Sequence, residues 1–248
     1  MDGRYDSITA YYDRLNAGMD YNALYSFCTE AYSRFGIGGE RPLALDLGCG
    51  TGSLTKLLSE KFDMTAMDIN EDMLSVARAK CEGGDVLFVR GDMRGFELYG
   101  SVAAVFSTCD CVNYLLSEKE LSACFGCVSN YLDPGGVFVF DMVTKHRFEN
   151  HYAKNNYVYD DGDAFLVWEN DYKKSGICDF LLTLFVKEKG NVWKRIEDAQ
   201  RQRAYSVSTV KRLLEASGLS LCGVFGGTDL SPLAEDSGRA YFVCKRPK

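Results

Sequence analysis

The sequence is poor in the residues from which metal sites are usually built. It contains only two histidines, His146 and His151. Cys124-Phe-Gly-Cys127 is a single C-x-x-C pair, and no second pair or suitably spaced histidines accompany it, as a zinc site would require. We therefore predict no metal site, and we expect both cysteines to be small apolar residues on the core face of a helix.

Long apolar runs are also missing. No run reaches the 18 residues that indicate a membrane helix, and the first residues do not contain the apolar h-region of a secretory leader. The ten cysteines show no disulfide framework, and some, such as Cys222 and Cys244, stand inside apolar stretches. The sequence therefore predicts a reduced, soluble, cytoplasmic protein that does not bind a membrane.

Basic residues are outnumbered by acidic ones. The chain has 28 Lys and Arg against 35 Asp and Glu, which gives a net charge of −7. The one modest basic cluster runs from Lys194 to Arg212. Because proteins that bind nucleic acids usually present a basic face or stripe, this balance disfavours a nucleic acid as partner. The sequence leaves the oligomeric state undecided and is compatible with a homodimer.

The order of the predicted elements indicates an α/β fold. Strand-length apolar runs, beginning with residues 42–47 and 62–68, alternate with helical patterns, which favours a doubly wound parallel sheet. After residue 150, strand-like segments follow one another through tight turns, so these strands must be antiparallel. We predict a helical cap over 1–40, a core over 41–150 and 201–248, and an antiparallel insertion over 151–200 that forms a lid over the substrate.

A glycine-rich stretch follows the first predicted strand. In "ALDLGCGTG", residues 44–52, Gly48, Gly50 and Gly52 occupy every second position. Ligands bind at this edge of a parallel sheet, and glycine lets a ligand approach the backbone with no Cβ in the way. Such a loop alone is also compatible with a simple tight turn.

Four consecutive predicted strands end in an acid: Asp46, Asp68, Asp92 and Asp110. We expect these acids to share one edge of the sheet, where they would repel phosphate and favour a cation. A carboxylate at Asp68 suits the two hydroxyls of a ribose. NAD requires G-x-G-x-x-G for its pyrophosphate, whereas the spacing here is G-x-G-x-G. The pattern therefore favours S-adenosylmethionine, which carries a ribose, an ammonium and a sulfonium but no phosphate.

The motifs "LDLGCGTG" and "LDPGGVFVFD", with Asp68 and Asp92 between them, resemble those of the class I S-adenosylmethionine-dependent methyltransferases over residues 41–145. The resemblance implies a Rossmann-like seven-stranded sheet, mostly parallel with the last strand antiparallel. It places the ribose on Asp68 and the adenine beside Ile69 and the Asp92–Met93 pair. With the N-terminal helix, it assigns cofactor binding to Tyr11, Asp46, Gly48, Cys49, Gly50, Thr51, Gly52, Asp68, Ile69, Met73, Gly91, Asp92, Met93, Thr108, Asp110 and Asn113.

The two ends of the chain resemble a narrower group, the bacterial small-molecule methyltransferases. Residues 198–219 are similar to a segment in which Gln202, Arg203 and Tyr205 match, whereas Gln200 stands where histidine is common. This departure weakens any role for a histidine there. The N-terminal stretch resembles that group's opening helix, and we expect it to cover the cofactor with Tyr5, Tyr11 or Tyr12.

Methyl transfer from a sulfonium is an in-line displacement that depends mainly on orientation, so no single essential catalytic residue is required. The candidate catalytic residues are His146 as a base, Tyr114 near the methionine end of the cofactor or the substrate, and Arg203 at the pocket mouth. Each also has a plain structural explanation. Trp168 and Trp193 either wall the pocket or pack the insertion onto the core.

We predict an enzyme that methylates nitrogen or oxygen of a small molecule. "TCDCVNYL" lacks the Asn-Pro-Pro-Tyr type of sequence found in enzymes that methylate bases or amides, which argues against DNA and glutamine. The alternatives are an RNA or protein methyltransferase, a non-catalytic S-adenosylmethionine-binding regulator and, more remotely, an NAD-linked oxidoreductase. Cys109 and Cys111 also suggest an arsenite-type enzyme, in which thiolates bind the substrate, although packing at a strand end explains both cysteines.

Overall fold

The computed structural model describes residues 8–188 and 190–248. Its main sheet has seven strands in the spatial order β10-β11-β5-β4-β1-β2-β3. Strand β11 is antiparallel to both β5 and β10, and the other pairings are parallel. The predicted Rossmann-like sheet with an antiparallel last strand is confirmed. The strands are β1 (Leu43–Leu47), β2 (Asp63–Asp68), β3 (Val86–Arg90), β4 (Val102–Ser107), β5 (Leu132–Val143), β10 (Ser220–Phe225) and β11 (Arg239–Lys245).

Helices cover both faces of this sheet, as an α/β fold requires. One core lies under α2 and α3, and the other lies under α5 and α7. The helix starts follow the sequence signals: Asn70 caps α4, and Ser117 with Glu120 forms a capping box on α5. The helices are α1 (Tyr12–Leu15), α2 (Tyr21–Phe35), α3 (Ser53–Leu58), α4 (Glu71–Lys80), α5 (Glu118–Tyr131), α6 (Lys145–Asn150) and α7 (Val207–Ala216).

The predicted antiparallel insertion is a separate sheet in the order β6-β7-β8-β9. Its strands are β6 (Tyr157–Asp160), β7 (Ala164–Tyr172), β8 (Ile177–Lys187) and β9 (Trp193–Arg203). Two details differ from the sequence analysis. The short edge strand β6 was not predicted, and β9 continues to Arg203, so the predicted boundary between residues 200 and 201 falls inside a strand. The insertion packs on the core through Phe148 of α6, which is fully buried against Phe180 and Tyr152.

The topology determines where a ligand can bind. The loops after β1, β2, β3 and β4 all leave the same edge of the sheet, which is where ligands bind in open α/β sheets. Along the described part of the chain, no helix is long and apolar enough to cross a membrane. On α5, Cys124 is buried in the core as expected, whereas Cys127 is only half-buried.

Candidate functional site

The glycine loop after β1 is tied to β2 through its backbone. The N–H groups of Gly48 and Cys49 both donate to the carbonyl of Met67, at 2.8 and 3.0 Å. Gly48, Gly50 and Gly52 all have positive φ angles, of 86°, 54° and 75°. A residue with a side chain would be strained at each of these positions, so the backbone conformation itself requires glycine.

The three glycines differ in the space around the position that a Cβ atom would take. A Cβ on Gly48 would lie 2.6 Å from Sγ of Cys111, and one on Gly52 would lie 2.9 Å from Cβ of Ala77. A Cβ on Gly50 would meet no atom within 4 Å. Gly48 and Gly52 therefore allow close packing, whereas Gly50 opens the backbone to the adjacent space.

Asp68 is held at the end of β2 by two backbone donors. Its Oδ2 accepts from the N–H of Gly50 at 2.8 Å, and its Oδ1 accepts from the N–H of Asn70 at 2.9 Å. These bonds fix the carboxylate beside the one glycine that has open space around it. The pair therefore forms a rigid acidic corner, which suits the hydroxyl groups of a ribose.

Asp46 is buried behind the glycine loop, with 3% of its surface exposed. The hydroxyl of Thr55 donates to its Oδ2 at 2.6 Å. Burial raises the pKa of the Asp46 carboxyl to about 7, and the nearby charge of Asp68 adds to this shift. Asp46 therefore differs from an exposed acid, because its charge is only partly developed near neutral pH.

The acidic edge is less negative than the strand ends suggest. Arg94 pairs with Asp92, with Nε lying 2.9 Å from Oδ2, and Arg239 pairs with Asp110 at 2.7 Å. Two of the four strand-end acids are therefore paired with an arginine, which reduces the negative charge of this edge.

The loops after β1 to β4 surround a cavity, which we call the inner cavity. Most of the residues assigned to the cofactor line it, and the sequence analysis did not assign Tyr21, Ser53, Arg94 and Cys111, which also do. The assigned residues that line the inner cavity are Asp46, Gly48, Cys49, Gly50, Thr51, Asp68, Ile69, Met73, Gly91, Asp92, Met93 and Thr108.

A second cavity, which we call the outer cavity, lies between this site and the insertion. Its wall includes the aromatic side chains of Tyr152, Tyr157, Trp168 and Phe180. The inner and outer cavities meet at four residues, which we call the junction: Tyr12, Tyr21, Cys109 and Tyr114.

Helix α1 brings Tyr12 to the junction. Its neighbour Asp13 accepts a hydrogen bond from Thr51 of the glycine loop at 2.6 Å, and Arg14 forms an ion pair with Asp161 of the insertion. The cap is thus connected to both the core and the insertion. Tyr12 is the tyrosine that faces the cofactor cavity, whereas Tyr11 packs against the insertion in a cluster that includes Ile8. Tyr5 lies outside the described residues.

Three other assigned cofactor residues lie elsewhere. Gly52 packs against Ala77, and Asp110 lines the outer rather than the inner cavity. Asn113 is fully buried. Its amide donates to the carbonyl of Arg203 at 2.9 Å and accepts from the N–H of Val143 at 2.9 Å. Asn113 therefore joins the insertion to β5, and its hydrogen bonds point to a structural role.

The three candidate catalytic residues are in different places. Tyr114 stands at the junction, where its hydroxyl donates to Oε1 of Gln200 at 2.7 Å. His146 lies instead in a shallow depression beside Ser206. Arg203 donates to the carbonyl of Leu116 at 3.0 Å and lies over the ring of Tyr205, so its visible contacts are structural.

The two tryptophans also differ in position. Trp168 lines the outer cavity and contacts Tyr152 and Phe180. Trp193 is 42% exposed at the start of β9. Trp168 also packs against the cluster that contains Val143 and Phe148 of the core, so both explanations considered fit Trp168, and neither fits Trp193.

The junction consists of neutral groups. Burial raises the pKa of the Cys109 thiol to about 12, and the charges of Asp141 and Asp110 add to the shift. Burial likewise raises the pKa of the Tyr12 phenol well above its usual value, and that of the Cys111 thiol. Sγ of Cys111 donates to the carbonyl of Gly48 at 3.2 Å, which agrees with the packing explanation for this thiol.

Together the sheet topology and the cavity indicate a Rossmann-like fold whose ligand cavity lies at the carboxyl ends of its parallel strands. A family model described as a methyltransferase domain matches residues 44–136. A methyltransferase from Geobacillus sp. (strain WCH70) is 30% identical over 248 residues, covering 98% of this chain and 99% of the relative. The chain belongs to the class I S-adenosylmethionine-dependent methyltransferases.

Two further similarities agree with this family. An S-adenosylmethionine-dependent methyltransferase from Clostridium acetobutylicum ATCC 824 superimposes with a TM-score of 0.89 at 26% identity, covering 96% of this chain and 97% of the other. A dTDP-3-amino-3,4,6-trideoxy-alpha-D-glucopyranose N,N-dimethyltransferase from Streptomyces venezuelae is 27% identical over 201 residues, covering 80% of this chain and 81% of the relative. The predicted cofactor, S-adenosylmethionine, is confirmed.

The inner cavity fits this cofactor. The open space at Gly50 admits a ligand against the backbone, and the adjacent carboxylate of Asp68 supplies an acceptor for ribose hydroxyls. Arg94 is the one arginine that lines this cavity among residues 8–188 and 190–248, and it pairs with Asp92 and with Glu120, which lies 2.9 Å away. The described part of the wall therefore offers no free basic group to a pyrophosphate, which suits a nucleoside without phosphate.

Proposed function

We propose that this methyltransferase acts on a nitrogen or oxygen atom of a small molecule bound in the outer cavity. The observation that supports this proposal is the junction: Tyr12, Tyr21, Cys109 and Tyr114 line both cavities. A small acceptor in the outer cavity can therefore meet the reactive end of a cofactor in the inner cavity. The largely aromatic and apolar wall of the outer cavity, with a few polar groups, is typical of small-molecule sites.

The residues of the inner cavity would hold the cofactor. Asp68 would accept the ribose hydroxyls, while Ile69 and Met73 of the following segment would lie beside the adenine. S-adenosylmethionine supplies the methyl carbon, whose bond to sulfur breaks with the electron pair left on sulfur as a lone pair of the acceptor forms the new bond. The chain itself would contribute orientation and exclusion of water, and orientation alone can lower a barrier by roughly 7–11 kcal/mol.

Tyr114 would orient the acceptor rather than act as a base. Its hydroxyl proton is directed at the amide oxygen of Gln200, and that amide group cannot take the proton as a histidine could. The Tyr114 oxygen would then accept a hydrogen bond from the incoming substrate. The amino sugar in the name of the Streptomyces venezuelae relative is a small molecule with a nucleophilic nitrogen, and this supports the proposed acceptor class.

The experiment is a methyl-transfer screen with radiolabelled S-adenosylmethionine and three acceptor pools: small amines and alcohols, total RNA and a denatured protein extract. We expect label only in the small-molecule pool, with stoichiometric S-adenosylhomocysteine. Label in RNA or protein would replace this proposal with the corresponding alternative. Tight cofactor binding without transfer to any pool would instead favour the regulatory module.

A further inference from the structure

The loop that separates the two cavities has an unusual backbone. Cys109 and Asp110 are consecutive non-glycine residues with positive φ angles, of 59° and 57°. Such residues are uncommon, and two in succession require support from their surroundings. The support comes from Asp141, which is fully buried at the end of β5. Its two carboxylate oxygens accept from the N–H groups of Cys109 and Asp110, each at 2.8 Å.

This backbone conformation directs the Asp110 side chain into the outer cavity. There its Oδ1 accepts from Nη2 of Arg239 at 2.7 Å, and its Oδ2 accepts from Nε2 of Gln202 at 2.7 Å. Gln202 and Arg239 also line the outer cavity. The carboxylate of Asp110 is therefore fixed in place. Its two neighbours in the sequence, Cys109 and Cys111, line the inner cavity.

The group around Asp110 carries a net negative charge. Arg239 also pairs with Asp141, so one guanidinium serves two carboxylates. The other charged residue on the outer wall is Arg147, which is exposed on α6 and lies 5.5 Å from the centre of the Tyr152 ring. Asp141 is buried behind the loop and does not line the cavity, so the outer wall itself holds the carboxylate of Asp110, the shared guanidinium of Arg239 and, at the exposed side, Arg147.

The aromatic wall complements this charge. The ring of Trp168 lies 5.6 Å from those of Tyr157 and Phe180 and 6.0 Å from that of Tyr152. The faces of aromatic rings attract cations, and a carboxylate adds a charge-assisted hydrogen bond. A cavity that holds both a fixed carboxylate and an aromatic wall favours an amine over a neutral group of the same shape.

We infer that the acceptor is an amine and that Asp110, positioned by Asp141, Arg239 and Gln202, is the residue that binds its nitrogen. This inference rests on the proposed function. The nitrogen binds as an ammonium, releases one proton to solvent and then uses its lone pair to form the new bond to carbon. It becomes positively charged again as the bond forms, and Asp110 stabilises that charge. The product loses its remaining excess proton to solvent.

The test uses three probes of nearly equal shape: cyclohexylamine, cyclohexanol and cyclohexanecarboxylate. Each is titrated by protein-observed NMR into the wild-type protein saturated with S-adenosylhomocysteine. We expect the amine to bind at least about tenfold more tightly than the alcohol. In Asp110→Asn this preference falls to less than about threefold, whereas Asp163→Asn, which removes a charge from an exposed turn of the insertion, retains it.

The outcomes separate this inference from the proposed function. Normal binding of S-adenosylhomocysteine with no preference for the amine, or with a preference for the carboxylate at Arg147, overturns the role of Asp110 and leaves the methyl-transfer proposal standing. Failure to bind S-adenosylhomocysteine overturns both. If Asp110→Asn does not fold, the preference of the wild-type protein among the three probes still decides whether the cavity takes an amine, and a wild-type protein without that preference overturns the inference.

Discussion

The backbone N–H of Gly50 donates to the carboxylate of Asp68 at 2.8 Å, and this bond joins the glycine loop to the end of the second strand. It places the one glycine with open space beside it next to the acid that suits a ribose. The glycine motif and the acid 18 residues later therefore form one binding surface.

Replacing Asp68 with alanine should weaken binding of S-adenosylhomocysteine by at least about tenfold. The change removes an acceptor for ribose hydroxyls and also releases the N–H of Gly50. Isothermal titration calorimetry measures the affinity directly. Asp63→Ala is the matched control, because Asp63 is exposed at the start of the same strand. Unchanged affinity in Asp68→Ala would show that the ribose lies elsewhere.

Alanine at Gly52 should destabilise the protein more than alanine at Gly50. Both positions have positive φ angles, which cost an alanine about 1–2 kcal/mol. At Gly52 the new Cβ also collides with Ala77, which adds about 1–3 kcal/mol. Urea unfolding without cofactor measures the difference.

Affinity for the cofactor should show the opposite order, so that Gly50→Ala binds S-adenosylhomocysteine more weakly than Gly52→Ala. The reason is that the new methyl group at position 50 enters the inner cavity. Equal losses of stability at the two positions would contradict the packing assigned to Gly52.

The raised pKa of Asp46 predicts how stability depends on pH. Its pKa is about 7 in the folded protein, against an ordinary value of 3.8, so the folded state holds a proton that the unfolded state releases between these values. The free energy of unfolding should therefore decrease from about pH 4 to pH 7, by at most about 4 kcal/mol from this residue.

Asp46→Asn should remove that part of the slope while keeping an acceptor for Thr55. Urea unfolding of both proteins at a series of pH values isolates the contribution. If the free energies of unfolding of the two proteins changed in parallel from pH 4 to pH 7, the pKa of Asp46 would not be raised in the folded protein.

Arg203→Gln should reduce stability by about 1–3 kcal/mol, since it removes the hydrogen bond to Leu116. Affinity for S-adenosylhomocysteine should stay within about twofold of the wild-type value, because these contacts lie in the scaffold. Thermal unfolding and calorimetry give the two quantities. A loss of affinity for S-adenosylhomocysteine at unchanged stability would show that Arg203 belongs to the binding site.

Local signals predicted most of the fold. The capping box of Ser117 and Glu120, the cap at Asn70 and the turn after the first strand depend on residues within a few positions of one another. Strand β6 escaped prediction because "YVYD" is only four residues long and lies at the edge of its sheet.

The chemistry of the site depends on contacts between residues that lie far apart in the sequence, and a single sequence does not reveal such contacts. Asp110 meets Arg239 across 129 residues, so a strand-end acid assigned to the cofactor instead faces the outer cavity. Asn113 likewise bonds to the backbone of Arg203, 90 residues away. His146 stood out only because histidine is rare, and its distance from the junction is a matter of tertiary packing.

The most direct test of the two-cavity account is a crystal structure of the protein with S-adenosylhomocysteine. The account predicts the ribose on Asp68, the adenine beside Ile69 and the sulfur at the junction of Tyr12, Tyr21, Cys109 and Tyr114. A nucleoside in the outer cavity, or a sulfur atom directed away from the junction, would contradict it.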